Sequence, residues 1–196
     1  MARKGLVVDL DGTVWDSWPF YADLVSSAGH ASSLDLLGRL RSGGNLVRLI
    51  EEAPGMSRTA FESLCEREGA RLRLYPGVRD ALQAASETCA LGVATSLPAW
   101  VAEPLLRVTG LGPLFGAVIH AGNCRRRKPD PTRLHMAFDR MGVSPECSVF
   151  VGDTALDAAM ALRAGVEFLW VDYGYERPER GANTITEFRE VLSVCS

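Results

Sequence analysis

Four short stretches of this chain hold side chains that could do chemistry together. Asp9 and Asp11 stand two apart behind Leu6-Val7-Val8, and Gly12 follows them. Residues i and i+2 of an extended backbone point the same way. Two carboxylates would therefore converge at a strand end, although Asp-Gly is also ordinary turn chemistry. Asp153 closes another apolar run, residues 148–151, and Asp157 lies one helical turn further on, on the same face. Acids in a first helical turn also suit the helix dipole. Thr95-Ser96 closes the run 90–94, and Lys128 sits in Lys128-Pro129-Asp130-Pro131 ahead of a helical pattern. Asp9, Asp11 and Asp153 would make an oxygen-rich site suited to a hard cation such as Mg2+. The hydroxyls and the lysine would supply the donors and the positive charge that a phosphate needs.

These groups meet only if the runs that carry them are parallel strands of one sheet, because ligands of open α/β sheets bind outside the carboxyl ends of the strands. Strand-like runs at 6–10, 90–94, 116–120, 148–151 and 167–171 are nearly continuous in apolar residues, as suits strands buried on both faces. Helical patterns at 78–88, 99–108, 131–141, 155–164 and 186–192 fill the gaps between and after them. The alternation predicts an α/β fold. Residues 15–75 break the rhythm. They show no strand-like run and read as helices at 20–28, 33–41, 46–52 and 59–68, separated by glycines and Pro54-Gly55. The expected architecture is a Rossmann-like parallel sheet flanked by helices, with an all-helical cap inserted after the first strand. Residues 1–14 and 76–196 would form the core, and 15–75 the cap.

At 196 residues, with 47% hydrophobic and 23% charged side chains, the chain has the ordinary globular mix and enough material for a sizeable core. A net charge of −3 advertises no nucleic acid and no acidic membrane surface. No apolar run reaches the roughly 18 residues of a membrane span. The opening stretch meets Asp9 too soon for a signal peptide. Cys65, Cys89, Cys124, Cys147 and Cys195 form no CxxC pair and read as reduced thiols of a cytoplasmic protein. Lys4 and Lys128 are the only lysines, so lysine chemistry has two possible sites.

In this order the motifs resemble those of the haloacid-dehalogenase-like hydrolase superfamily over nearly the whole chain. DxDGT appears as Asp9-Leu10-Asp11-Gly12-Thr13, the hydroxyl after the second strand as Thr95, the lysine motif as Lys128-Pro129-Asp130-Pro131, and GDxxxD as Gly152 to Asp157. The resemblance implies that Asp9 is a nucleophile forming an aspartyl-phosphate. Asp11 would protonate the leaving alcohol and then activate water. Gly12, Thr95, Ser96 and Lys128 would bind the phosphoryl group. Mg2+ would lie on the Asp9 carboxylate, the Asp11 carbonyl and Asp153, with Asp157 in support.

Asp11 fills the place that the dehalogenase branch leaves without an acid, which favours phosphoryl chemistry. The phosphonate-cleaving branch needs a cap lysine, and 15–75 has none. The sugar-phosphate mutase branch carries a cap histidine where Phe20-Tyr21 stands here. The leading expectation is a Mg2+-dependent phosphatase similar to phosphoglycolate phosphatases, acting on a small phosphorylated metabolite as a monomer or homodimer. Arg41, Gly43, Gly44 and Asn45 would form a cap loop facing the substrate, though a plain helix–helix turn fits the same residues. The alternatives are a magnesium-dependent phosphatase for phosphotyrosine or sugar phosphates, a mutase, and a binding module on a degenerate fold.

Overall fold

The apolar runs pair side by side, and their order brings the motif residues to one edge of the sheet. The computed structural model describes residues 4–27, 29, 31–42 and 44–195, so Gly43 lies outside the described residues. In chain order the elements are β1 (Lys4–Val8), β2 (Trp15–Asp16), then α1 (Ser17–Ser27), α2 (Ser33–Arg41), α3 (Leu46–Glu52) and α4 (Arg58–Glu68). After them come β3 (Arg73–Leu74), α5 (Val78–Ser86), β4 (Cys89–Ala94), α6 (Ala99–Val108), β5 (Ala117–Ile119) and α7 (Thr132–Met141). The chain closes with β6 (Ser148–Gly152), α8 (Ala155–Ala164), β7 (Glu167–Val171), β8 (Thr184–Ile185) and α9 (Leu192–Cys195). None of these helices is long and apolar enough to cross a membrane.

Six strands form one parallel sheet in the order β5-β4-β1-β6-β7-β8. Val8 of β1 stands beside Val93 of β4 and Val151 of β6. Asp9, Thr95 and Asp153 therefore leave the sheet at nearly the same level. The ladder reaches into these residues, because the Asp9 amide donates to the Val151 carbonyl and the Thr95 amide to the Ile119 carbonyl, both at 2.9 Å. Strand alternation splits the core in two. Leu6 and Val8 face one apolar cluster, and Val7 faces the other with Phe138, Phe150 and Met160.

The helices α1–α4 sit between β2 and β3, which pair as a two-residue antiparallel ribbon. Ser32, Asn45 and Ser57 cap α2, α3 and α4, each side chain accepting from a backbone amide of the first turn. The buried faces of these helices are continuous with the larger core cluster. Phe61 of α4 stands edge-on to Trp100 of α6 at 6.0 Å and tilts toward Tyr21 of α1 at 6.2 Å.

Three readings from sequence need correction. The first strand ends at Val8, so Asp11 does not follow Asp9 along an extended backbone. Leu10 instead takes three amides, from Thr13, Val14 and Trp15, onto its carbonyl in a tight loop. The run 186–192 is not one helix: a 3-10 turn, Phe188–Val191, precedes the single-turn α9. Residues 15–75 are not wholly helical: they begin and end in β2 and β3, which, like β8, are too short to show a period.

Phe61 is fully buried where α4 meets α6. Phe61→Ala should lower unfolding free energy by about 3–5 kcal/mol in urea titrations. A loss under about 1 kcal/mol would mean that this contact contributes little to holding α4 on α6.

Candidate active site

The centre of the site is one buried ammonium between two carboxylates. Lys128 Nζ lies 2.9 Å from Asp9 Oδ2 and 2.6 Å from Asp157 Oδ1, and the three side chains are 6%, 9% and 0% exposed. Burial works against the Lys128 charge, but Asp157 and Asp9 outweigh it and hold the amine above the ordinary lysine range. Carboxylate oxygens of Asp9, Asp153 and Asp157 all lie within 4.8 Å of one another. One ammonium does not neutralise three such acids. Burial, with Asp157 adding to it, pushes Asp9 up to about 7 against the pull of Lys128. Burial, then Asp157 and Asp9, pushes Asp153 up to about 8.

Each acid has a different set of partners. Asp157 is the third residue of α8, and its Oδ2 accepts from the Thr154 hydroxyl and amide in a capping box. With Oδ1 on Lys128, both of its oxygens are engaged. Asp153 Oδ1 accepts from Thr13 Oγ1 at 3.2 Å, and its Oδ2 from the Tyr175 amide at 2.8 Å. Asp9 Oδ1 is buried and accepts no hydrogen bond. A carboxylate oxygen in that position suits a hard cation or the attack on an electrophile. Gly12 has φ +76°, and a Cβ there would stand 2.1 Å from Asp153 Oδ2. Its glycine is thus required by the close approach of Asp153 as well as by the turn.

Asp11 lies outside the three-acid cluster. Its Oδ1 accepts from Trp15 Nε1 at 2.9 Å and from the Tyr21 hydroxyl at 3.0 Å, and both donors are almost wholly buried. Burial raises the Asp11 pKa, and hydrogen bonds from Ser17, Trp15 and Tyr21 oppose that rise. Burial, with Asp11 beside it, pushes the Tyr21 phenol well up, so it serves as a donor at neutral pH.

At the end of β4, Thr95 is buried and accepts the Leu97 amide on Oγ1 at 3.2 Å. Ser96 is exposed, and its Oγ accepts from Arg133 at 3.2 Å. Of the expected cap-loop residues, Gly44 and Asn45 are engaged in local backbone contacts. Asn45 Oδ1 accepts the Arg48 amide as the α3 cap, and the Gly44 amide donates to the Arg39 carbonyl. Arg41 lines a cavity of about 430 Å³ with Asp16, Trp18, Tyr75, Gly174 and Tyr175, the last two adjoining Asp153.

Sequence reasoning gives no role to Thr13, reads Trp15 as hinge packing, and misses Tyr21, Arg133 and Tyr175. Thr13 alone carried a local signal, standing inside the first motif. Tyr175 follows β7, and its hydroxyl takes the amides of Ser17 and Trp18 while its ring stacks on Trp18 at 3.6 Å.

The chain has clear relatives among known proteins. A family model described as haloacid dehalogenase-like hydrolase matches residues 3–165. A phosphoglycolate phosphatase of Cupriavidus necator is 31% identical, the match covering 95% of this chain and 90% of that protein. One from Shigella boydii is 29% identical over 90% and 84%. Among solved structures, CbbY from Rhodobacter sphaeroides in complex with phosphate superposes with a TM-score of 0.76 at 19% identity, covering 98% of this chain and 99% of that one. The chain belongs to the haloacid dehalogenase-like hydrolases, and its relatives put it in their phosphatase branch.

The raised acids give a pH signature. Between about pH 4 and pH 8 the folded protein holds protons on Asp9 and Asp153 that the unfolded chain has released. These groups therefore make the metal-free protein less stable as pH rises through that window. A divalent cation held here would need both carboxylates deprotonated, so its binding would tighten over the same range. Thermal unfolding in EDTA and in Mg2+ should differ more near about pH 8 than near about pH 6. An Mg2+ shift independent of pH would count against this acid cluster as the cation site.

Proposed function

We propose that this chain hydrolyses a small phosphomonoester, in the manner of the phosphoglycolate phosphatases it resembles, through a phosphoryl group carried on Asp9. The observation that carries the reading is the pair of Asp9 oxygens. Oδ2 is held by Lys128, while Oδ1 is buried without a hydrogen bond at the end of the central strand, beside Asp153. The donor set fits Mg2+, since every candidate ligand is an oxygen. Asp9, Asp153 and the Asp11 carbonyl would hold the ion, and Asp157 would act through Lys128. When bound, the cation screens the phosphate dianion from the carboxylates it must approach.

Asp9 attacks phosphorus, and the bond from phosphorus to the leaving oxygen breaks. Asp11 delivers the proton that this oxygen needs, with Trp15 and Tyr21 fixing its Oδ1. Thr95, Ser96 and Lys128 bind the transferring phosphoryl oxygens. In the second half Asp11 takes a proton from water, which attacks phosphorus and releases inorganic phosphate from Asp9. Residues 15–75 serve as a cap, and Tyr21 brings it into contact with the acid. The substrate is a small phosphorylated metabolite.

Asp9→Asn should abolish turnover of any phosphomonoester while leaving the fold intact, because an amide does not attack phosphorus. Steady-state hydrolysis by that variant, checked for folding by circular dichroism, would remove Asp9 as nucleophile.

Asp11→Asn separates the two halves. Alkyl phosphates should lose most of the general-acid factor of roughly 10²–10⁴. A nitrophenyl ester needs no proton on its leaving group, so it should give a burst of nitrophenol and then slow turnover, with phosphate trapped on Asp9. Equal impairment of alkyl and aryl esters without a burst, measured by rapid quench, would refute the role of Asp11.

A further inference from the structure

Arg133 has an environment unlike that of any other arginine described. It stands in the first turn of α7 and is 2% exposed, whereas every other described arginine is exposed. A buried cation is normally matched by a carboxylate, because desolvation is costly without one. Arg133 makes no ion pair among the described residues. One terminal nitrogen donates to Ser96 Oγ at 3.2 Å, the other to the Cys124 carbonyl at 3.3 Å, and Nε is buried without a partner.

The arrangement has consequences for Ser96. A serine hydroxyl has one proton and two lone pairs. One lone pair of Ser96 Oγ takes a hydrogen bond from the guanidinium, which leaves its proton for another acceptor and makes it a stronger donor. Ser96 is exposed beside Thr95, whose own Oγ1 is likewise committed as an acceptor, from the Leu97 amide. Lys128 is already divided between Asp9 and Asp157. A phosphate dianion arriving at this strand end therefore meets a lysine whose charge is offset, and the next buried positive charge is Arg133.

We propose that Arg133 is a positioning residue for the phosphoryl group. It acts through Ser96, turning that hydroxyl into a charge-backed donor to a phosphoryl oxygen. The inference rests on the phosphatase reading above, and it assigns part of the phosphate's charge compensation to a side chain outside the four motifs.

A double-mutant cycle tests it, with orthovanadate as the probe, in Mg2+, by isothermal titration calorimetry. Ser96→Ala and Arg133→Met should each weaken orthovanadate binding about tenfold or more, as expected for a hydrogen bond backed by a charge. In the Ser96→Ala background, Arg133→Met should change the affinity less than about twofold, since its effect passes through the hydroxyl. Arg133→Lys should recover part of the loss. Equal losses from Arg133→Met in both backgrounds would overturn the proposal, because they would mean direct contact or a structural role. Should Arg133→Met fail to fold, Arg133→Gln takes its place in the cycle. Ser96→Ala, at an exposed position, decides independently: unchanged affinity in that variant refutes the proposal. Wild-type protein that binds no orthovanadate would overturn both this inference and the phosphatase reading, whereas binding with additive losses would overturn this inference alone.

Discussion

Three buried carboxylates within 4.8 Å of one another would repel strongly, and the ammonium of Lys128 is what lets them stand together. Its two ion pairs join three segments distant in sequence: the end of β1, the loop before α7 and the first turn of α8. The compensation is incomplete: burial first, and the neighbouring acids after it, keep Asp9 and Asp153 raised despite the lysine. That shortfall is functional in the proposed reading, because a site short of positive charge is one that a divalent cation can complete. Asp157 serves two roles at once. Its Oδ2 closes the capping box that begins α8, and its Oδ1 holds the lysine. The start of a helix and the position of the buried ammonium are thus set by one side chain.

Asp11 and the helix α1 are tied to this centre by hydrogen bonds from neutral donors. Asp11 Oδ1 takes Trp15 from the β2–β3 ribbon and Tyr21 from α1. Tyr175 bridges in the other direction. Its amide donates to Asp153, and its hydroxyl accepts the first amides of α1. Those amides have no partner within their own helix, so a phenol oxygen at that end satisfies groups that would otherwise need water. Displacing α1 would strain bonds to Asp11 and, through Tyr175, to Asp153. In the proposed scheme these are the proton donor and a cation ligand, so the placement of the first cap helix bears on both.

The sheet and the motif residues were legible because both rest on local signals. Buried parallel strands are apolar runs, and their ends are marked by the polar residues that leave the sheet there. Asp9, Thr95 and Asp153 were found that way, Lys128 by its place in Lys128-Pro129-Asp130-Pro131 ahead of a helical pattern, and the helices of 15–75 by their period. What could not be read depends on side chains meeting across long separations. Tyr175 reaches Ser17 across 158 residues, and Arg133 reaches Ser96 across 37. Nothing in the run around Arg133 separates it from the solvated arginines nearby; burial alone does. Asp11 was found for a reason that fails, since the backbone has already turned at Leu10. Its orientation comes from Trp15, which by sequence reads as ordinary hinge packing, and from Tyr21.

The choice of lysine at 128 follows from geometry in a chain that otherwise relies on arginine. With nineteen arginines against two lysines, composition does not favour a lysine anywhere. An ammonium is a compact point charge with three donors, whereas a guanidinium is a planar fork suited to one carboxylate face. Between Asp9 and Asp157 the nitrogen sits at 2.9 and 2.6 Å, a spacing that one small cation can bridge. Two of its three protons can serve those contacts, and in the proposed scheme the third would meet a phosphoryl oxygen. An arginine in the same place would spend its fork on one acid and leave the other uncompensated. Arg133 occupies the opposite situation, bonding a hydroxyl and a carbonyl that lie apart, where the span of a guanidinium is needed.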